Sequence, residues 1–183
     1  MTNTWKTLTS KIVYKNSWIT VHEDQVKRPN GEKGMYAVVR TNGPSVIIVA
    51  INENNEVYFI KIDRYTTPKL SLELPGGGTD KKEILLHAAQ RELQEETGLT
   101  AKKWTEVGSV QPMNGITDEV MHVFIAQDLV QTPQDQQAEE GIARIQKIPL
   151  QEVASLIKSG SITDSQTITA FTLACLHLGV SIK

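Results

Sequence analysis

The stretch GGGTDKKEILLHAAQRELQEETGL, residues 76–99, decides how the rest of the chain is read. Its spacing predicts a helix over 83–97. On a helical wheel of about 100° per residue, with Glu92 at zero, Leu85, Ala88 and Ala89 fall within about 60° of Glu92. Glu95 and Glu96 lie on the same side, at about −60° and +40°. Glu83, His87, Gln90 and Gln94 point the opposite way, toward solvent. One flank is therefore apolar in its first half and carries three carboxylates in its second. Solvated glutamates belong opposite an apolar stripe, and carboxylates crowded at a helix C-terminus repel one another and oppose the helix dipole. A compensating positive charge is expected there, and a hard divalent cation with oxygen ligands supplies it directly. The preceding glycines allow close backbone approach, and backbone carbonyls there can add oxygen ligands. Asp80 and Glu83 read as a capping pair for the helix start.

Outward from this helix the chain alternates between strand and helix patterns. SVIIVAI (45–51) is a continuous apolar run, the pattern of a strand covered on both faces. NENN turns the chain, and EVYFIKIDR (56–64) is expected to return as its hairpin partner. LSLELP (70–75) reads as a short strand. Strands are also expected at about 103–110 and 119–127, with the loop QPMNGITD between them. TPQDQQAEEG (132–141) reads as a polar loop and GIARIQKI (141–148) as a strand. PLQEVASLIKSG and DSQTITAFTLACLHLG close the chain as two helices, each stopped by Gly. Before all of this, SKIVYK, WITVHEDQV and MYAVVR alternate as strands, with a hairpin at KRPNGEKG (27–34). The expected division is an N-terminal antiparallel strand unit, 1–41, and an α/β body, 42–183.

Composition sets the outer bounds. The chain has 183 residues, 39% hydrophobic and 22% charged, with net charge −2. That suits a soluble globular protein and lacks the basic excess of a nucleic-acid binder. No apolar run approaches the ~20 residues of a membrane span. Cys175 is the single cysteine, which excludes an internal disulfide and a cysteine-built zinc site. The N-terminus, MTNTWKTLTSK, lacks the basic-then-apolar pattern of a signal peptide, so a cytoplasmic location is expected.

The central stretch resembles the signature of Nudix hydrolases: Gly, five residues, Glu, seven residues, Arg-Glu-apolar-any-Glu-Glu-any-Gly-apolar. Gly77, Glu83, Arg91, Glu92, Leu93, Glu95, Glu96, Gly98 and Leu99 fill every specified position. Seven fixed residues at roughly 6% usage each coincide by chance on the order of once in 10⁸–10⁹ starts. Arg64 followed by LELPGGG, PMNGITDE (112–119), the acidic pair at 139–140 and the closing DSQTITAFTLA are similar to the ADP-sugar pyrophosphatase branch. The resemblance implies a Nudix-type α/β/α sandwich with a mixed sheet. It implies Mg²⁺ or Mn²⁺ held by Glu92, Glu95, Glu96 and the carbonyl of Gly76, with Arg91 orienting the glutamates and Glu83 mainly structural. In that branch the general base comes from a distal acidic loop, which Glu140 or Glu139 matches here; Glu119 is a third candidate. Arg64 suits charge stabilisation on the phosphates through its planar donor fork.

The resemblance also implies a homodimer built by the N-terminal strands, in which aromatic residues from two subunits sandwich the adenine. Trp18 and Tyr36 match that role, and Arg40 matches a contact to ribose or phosphate. Ala37 stands where several such enzymes carry an acidic residue that reads the base. The implied reaction is metal-dependent hydrolysis of a nucleoside diphosphate sugar, ADP-ribose-like, to a nucleoside monophosphate and a sugar phosphate. The alternatives are a Nudix hydrolase for a triphosphate, a dinucleotide or coenzyme A, and a nucleotide sensor that binds without cleaving.

Overall fold

The computed structural model describes residues 4–132 and 141–182. Three antiparallel strands come first: β1 (Lys6–Lys15), β2 (Ile19–Lys27) and β3 (Lys33–Thr41). They form a sheet of their own, in the order β1-β2-β3. Every residue of β1 is exposed. β3 touches the body through the Val39 N–H, which donates to the Ile116 carbonyl at 2.8 Å.

The body is built around β4 (Ser45–Ala50), β7 (Gly76–Gly78), β8 (Leu99–Val110) and β9 (Met121–Gln131), ordered β7-β4-β9-β8. The sheet is mixed: β4 and β9 run parallel, and the other pairs are antiparallel. Helix α1 (Leu85–Thr97) covers one face and α3 (Ser165–Leu178) the other. The apolar run in β4 serves both. Val46, Ile48 and Ala50 pack with Ala88, Ala89 and Leu93 of α1. Ile47 and Val49 pack with Ala170, Phe171 and Ala174 of α3. A second small sheet, β10 (Ile142–Pro149), β5 (Glu56–Ile62) and β6 (Ser71–Glu73), and helix α2 (Leu150–Lys158) complete the body. This is the α/β/α sandwich with a mixed sheet.

Two local expectations are corrected. The hairpin between 45–51 and 56–64 does not form as a ladder. The turn is there, with Asn52 Oδ1 accepting from the N–H groups of Asn54 and Glu56. Only the Ile51–Val57 bridge follows it, and β4 and β5 part into different sheets. An all-apolar strand gains more by lying between β7 and β9, covered on both faces, than by pairing with its sequence neighbour. The helix also begins later than position 83. Its N-cap is Ile84, with no side-chain cap. Asp80 and Glu83 bond to each other across a turn, Asp80 N–H to Glu83 Oε2 at 2.9 Å and Glu83 N–H to the Asp80 carbonyl at 3.0 Å, with Lys82 left-handed at φ 69°.

One crossing positions the site. The strand ending at Glu73 pairs with β5; after Leu74-Pro75 the same chain pairs with β4 as the Gly76–Gly78 strand. Glycine is required at position 76, where a Cβ would lie 2.3 Å from the Val46 carbonyl oxygen.

Candidate active site

Because Glu83 lies outside the helix, it does not follow the wheel; its carboxylate turns back to Arg91. The Arg91 Nε donates to Glu83 Oε1 at 3.1 Å. Its Nη1 donates to Glu92 Oε1 at 2.8 Å and to Glu95 Oε2 at 3.0 Å. Its Nη2 donates to Glu83 Oε2 at 3.0 Å and to the Gly78 carbonyl at 3.1 Å. Every donor of the guanidinium fork is used. The bond to Glu83 holds the guanidinium well above its already high ordinary pKa, against the opposing effect of burial. The same bond holds the Glu83 carboxyl below the usual carboxylate range.

Glu96, 3% exposed, accepts from the Gly76 N–H at 2.7 Å through Oε2. The carboxylate of Glu92 lies against Gly77, where a Cβ would meet Oε1 at 2.6 Å. The box glutamates therefore press directly on the glycine strand. Among the described residues, no group of three or more His, Cys, Asp or Glu side chains is gathered closely enough to hold a metal ion. Arg91 instead holds Glu92 and Glu95, and three carboxylates share its single guanidinium. The donor set is all oxygen and strongly anionic, which fits a hard divalent cation.

The glycine strand also lines a cavity of about 1250 Å³. Gly76, Gly77 and Gly78 form part of its wall, with Arg64, Glu73 and Glu119 beside them and the start of α3, from its N-cap Asp164 to Gln166, on its rim. Ser17, Trp18, Thr41 and Asn42 close the end contributed by the N-terminal sheet. Arg64 donates to Glu73 Oε2 from both Nε, at 3.2 Å, and Nη2, at 2.7 Å. That bond raises the Arg64 pKa, against the effect of burial. Glu119 Oε1 accepts from the Ser45 hydroxyl at 2.6 Å.

Trp18 is 74% exposed at the cavity, held there by an Asn16 turn whose Oδ1 accepts from the Trp18 and Ile19 N–H groups. Tyr36 is placed elsewhere. Its hydroxyl donates to the Gly115 carbonyl at 2.7 Å and its ring meets Trp5 edge-on at 5.7 Å. Ile19 pairs with Thr41, so Tyr36 lies further along β3, roughly 20 Å from Trp18 at about 3.4 Å per residue. One chain does not bring the two rings together. Arg40 turns to Asp118 at 3.8 Å. Glu139 and Glu140 lie outside the described residues. Sequence reasoning missed Ser45, Glu73 and Thr167. The spacing Asp164-x-x-Thr167 at a helix start was the available signal for the last.

A carboxylate-bearing helix pressed on a glycine strand, inside an α/β/α sandwich, defines the class. Residues 41–171 match the model described as the NUDIX domain, and the chain belongs to that family. Residues 5–39 match a second model, the nucleoside diphosphate sugar hydrolase N-terminal domain. The chain is 28% identical over 166 residues to the ADP-ribose pyrophosphatase of Bacillus subtilis (strain 168), covering 90% of this chain and 89% of that one. It is 32% identical over 178 residues to the CMP-5'-(N-acetyl-N-hydroxy-3-aminopropyl)phosphonate hydrolase of Streptomyces rubellomurinus, covering 96% of this chain and 84% of that one. In fold it is similar to the crystal structure of an ADP compounds hydrolase, with a TM-score of 0.86 at 23% identity over 97% of this chain and 95% of that chain.

Proposed function

We propose that this Nudix protein hydrolyses the diphosphate bond of a nucleoside diphosphate sugar of the ADP-ribose type, releasing a nucleoside monophosphate and a sugar phosphate. The observation that carries the reading is the cavity itself, which runs from the glycine strand beside the box glutamates to an exposed tryptophan on the N-terminal sheet. Its two ends suit a diphosphate and a nucleobase. Relatives named ADP-ribose pyrophosphatase support the choice of substrate class.

Glu92, Glu95, Glu96 and the Gly76 carbonyl would hold Mg²⁺ or Mn²⁺, with Arg91 spacing the carboxylates. When bound, such a cation neutralises diphosphate charge and acidifies water. The residues of the chain do the rest. Trp18 stacks on the base, and Arg64, oriented by Glu73, faces the phosphates. A carboxylate takes the proton as water oxygen bonds to one phosphorus and the bridging P–O bond breaks. Glu119, fixed by Ser45, is one candidate for that base; Glu139 and Glu140 are the others. The protein acts in the cytoplasm as a homodimer joined through its N-terminal strands, and Tyr36 or Arg40 reaches a substrate only from the second subunit.

The test is a hydrolysis panel with Mg²⁺: ADP-ribose, another ADP-sugar, a CDP-linked compound, a dinucleotide, ATP and coenzyme A, with products separated chromatographically. Nucleotide sugars should be cleaved fastest, and ADP-ribose should give AMP and ribose 5-phosphate. Preferential cleavage of ATP or coenzyme A would assign another Nudix substrate, and binding without cleavage would assign a sensor.

A further inference from the structure

The crossing at Leu74-Pro75-Gly76 leaves the small sheet before it joins the mixed one. Its backbone groups there need partners other than a strand ladder. Pro75 has no N–H, and its carbonyl accepts from Ile48 N–H at 2.8 Å. The Gly76 N–H goes to Glu96 of α1 at 2.7 Å. The Leu74 N–H goes to the hydroxyl of Thr167, on α3, at 3.0 Å. Leu74 is 3% exposed and Thr167 fully buried, so no solvent is available to replace this bond.

Thr167 is itself fixed. Asp164 caps α3 by accepting from the Thr167 N–H at 2.7 Å. That bond uses the Thr167 backbone N–H, while its hydroxyl accepts from Leu74 at the crossing. The segment is suspended between two helices, with a hydroxyl from α3 at Leu74 and a carboxylate from α1 at Gly76.

We propose that Thr167 is a positioning residue for the cation site. By holding Leu74, it sets where Gly76 meets Glu96, and it couples the first turn of α3 on the cavity rim to the carboxylate end of α1. The inference rests on the reading that Glu96 and Gly76 hold the cation; it does not depend on which nucleotide is cleaved.

The test compares Thr167→Val, which keeps the shape and removes the acceptor, with Thr167→Ser, which keeps the acceptor. Mn²⁺ alone is titrated calorimetrically into the full-length protein, without nucleotide, and Tm is recorded for each variant. Removing a group that orients a ligand commonly weakens metal binding 10–100-fold. We expect the valine variant to lose roughly tenfold or more in Mn²⁺ affinity and the serine variant to stay within about twofold of wild type. If the valine variant does not fold at the titration temperature, Thr167→Ala, which leaves room for water at the Leu74 N–H, is titrated in its place with the same expectation. A folded valine or alanine variant that binds Mn²⁺ as tightly as wild type, whatever its Tm, overturns the proposal. So does a wild-type protein that binds no Mn²⁺. Wild-type Mn²⁺ binding without cleavage of any panel substrate would overturn the proposed activity and leave this inference standing.

Discussion

Arg91 shows why residue identity matters more than charge at this site. Its donors reach three carboxylates and a carbonyl in one plane, which a lysine ammonium does not reproduce. Trp18 carries the clearest residue-scale expectation. It is 74% exposed, so it contributes little to the core. Stacking on a base is worth about 1–3 kcal/mol. Trp18→Ala should therefore raise KM for an adenine nucleotide sugar about tenfold with Tm unchanged; a sharp Tm loss at unchanged KM would make it a packing residue. The base is separable by kinetics. Among Glu119→Gln, Glu139→Gln and Glu140→Gln, the variant that removes the base should lose about 10²–10⁴-fold in kcat with KM less affected. Three wild-type profiles would place the base elsewhere.

At the scale of elements, the glycine strand is the least tolerant part of the body. A Cβ on Gly76 would lie 2.3 Å from the Val46 oxygen and 2.8 Å from the Ile47 Cα, both backbone atoms, whereas one on Gly78 meets nothing within 4 Å. Overpacking of this kind costs about 1–3 kcal/mol, and each kcal/mol shifts Tm by about 2–4 °C in a domain of this size. Gly76→Ala should lower Tm by about 2–12 °C in a thermal melt, and Gly78→Ala should leave it almost unchanged; equal effects would contradict the close β4–β7 approach. Elements also show what the sequence made legible. The burial of Ala88 and Ala89, with Leu85 half-buried beside them, followed from 3.6-residue periodicity, and the two-sided burial of 45–51 from its unbroken apolar run. The parting of β4 and β5 was not legible, because it is decided by β9, some seventy residues away. Glu83 was misplaced for a local reason: the turn at Lys82 delays the helix, so wheel geometry does not reach it. Tyr36 was legible as a strand aromatic, but its bond to Gly115 depends on a loop docking against β3. The Arg64–Glu73 pair joins residues only nine apart, and it depends on β6 pairing with β5.

For the assembled protein, the N-terminal sheet is the part that bears on how chains associate. All of β1 is exposed, and Leu8, Ile12, Val13 and Tyr14 on it are each about half exposed or more. A strand of this composition without cover invites pairing with another chain. Light scattering on the full-length protein should give twice the chain mass of 20.3 kDa. A monomer at working concentration would remove the second subunit and leave Trp18 without an aromatic counterpart. Whether the box helix, the glycine strand and the cavity act as one hydrolytic site is decided by following ADP-ribose hydrolysis with and without Mg²⁺, in the wild type and in Glu96→Gln. Glutamine can still accept from the Gly76 N–H, so the fold should persist while the charge is lost. We expect AMP and ribose 5-phosphate from the wild type only when Mg²⁺ is present, and turnover lower by roughly a hundredfold or more in the variant. Metal-independent hydrolysis, or a Glu96→Gln protein as active as wild type at saturating Mg²⁺, would contradict that single site.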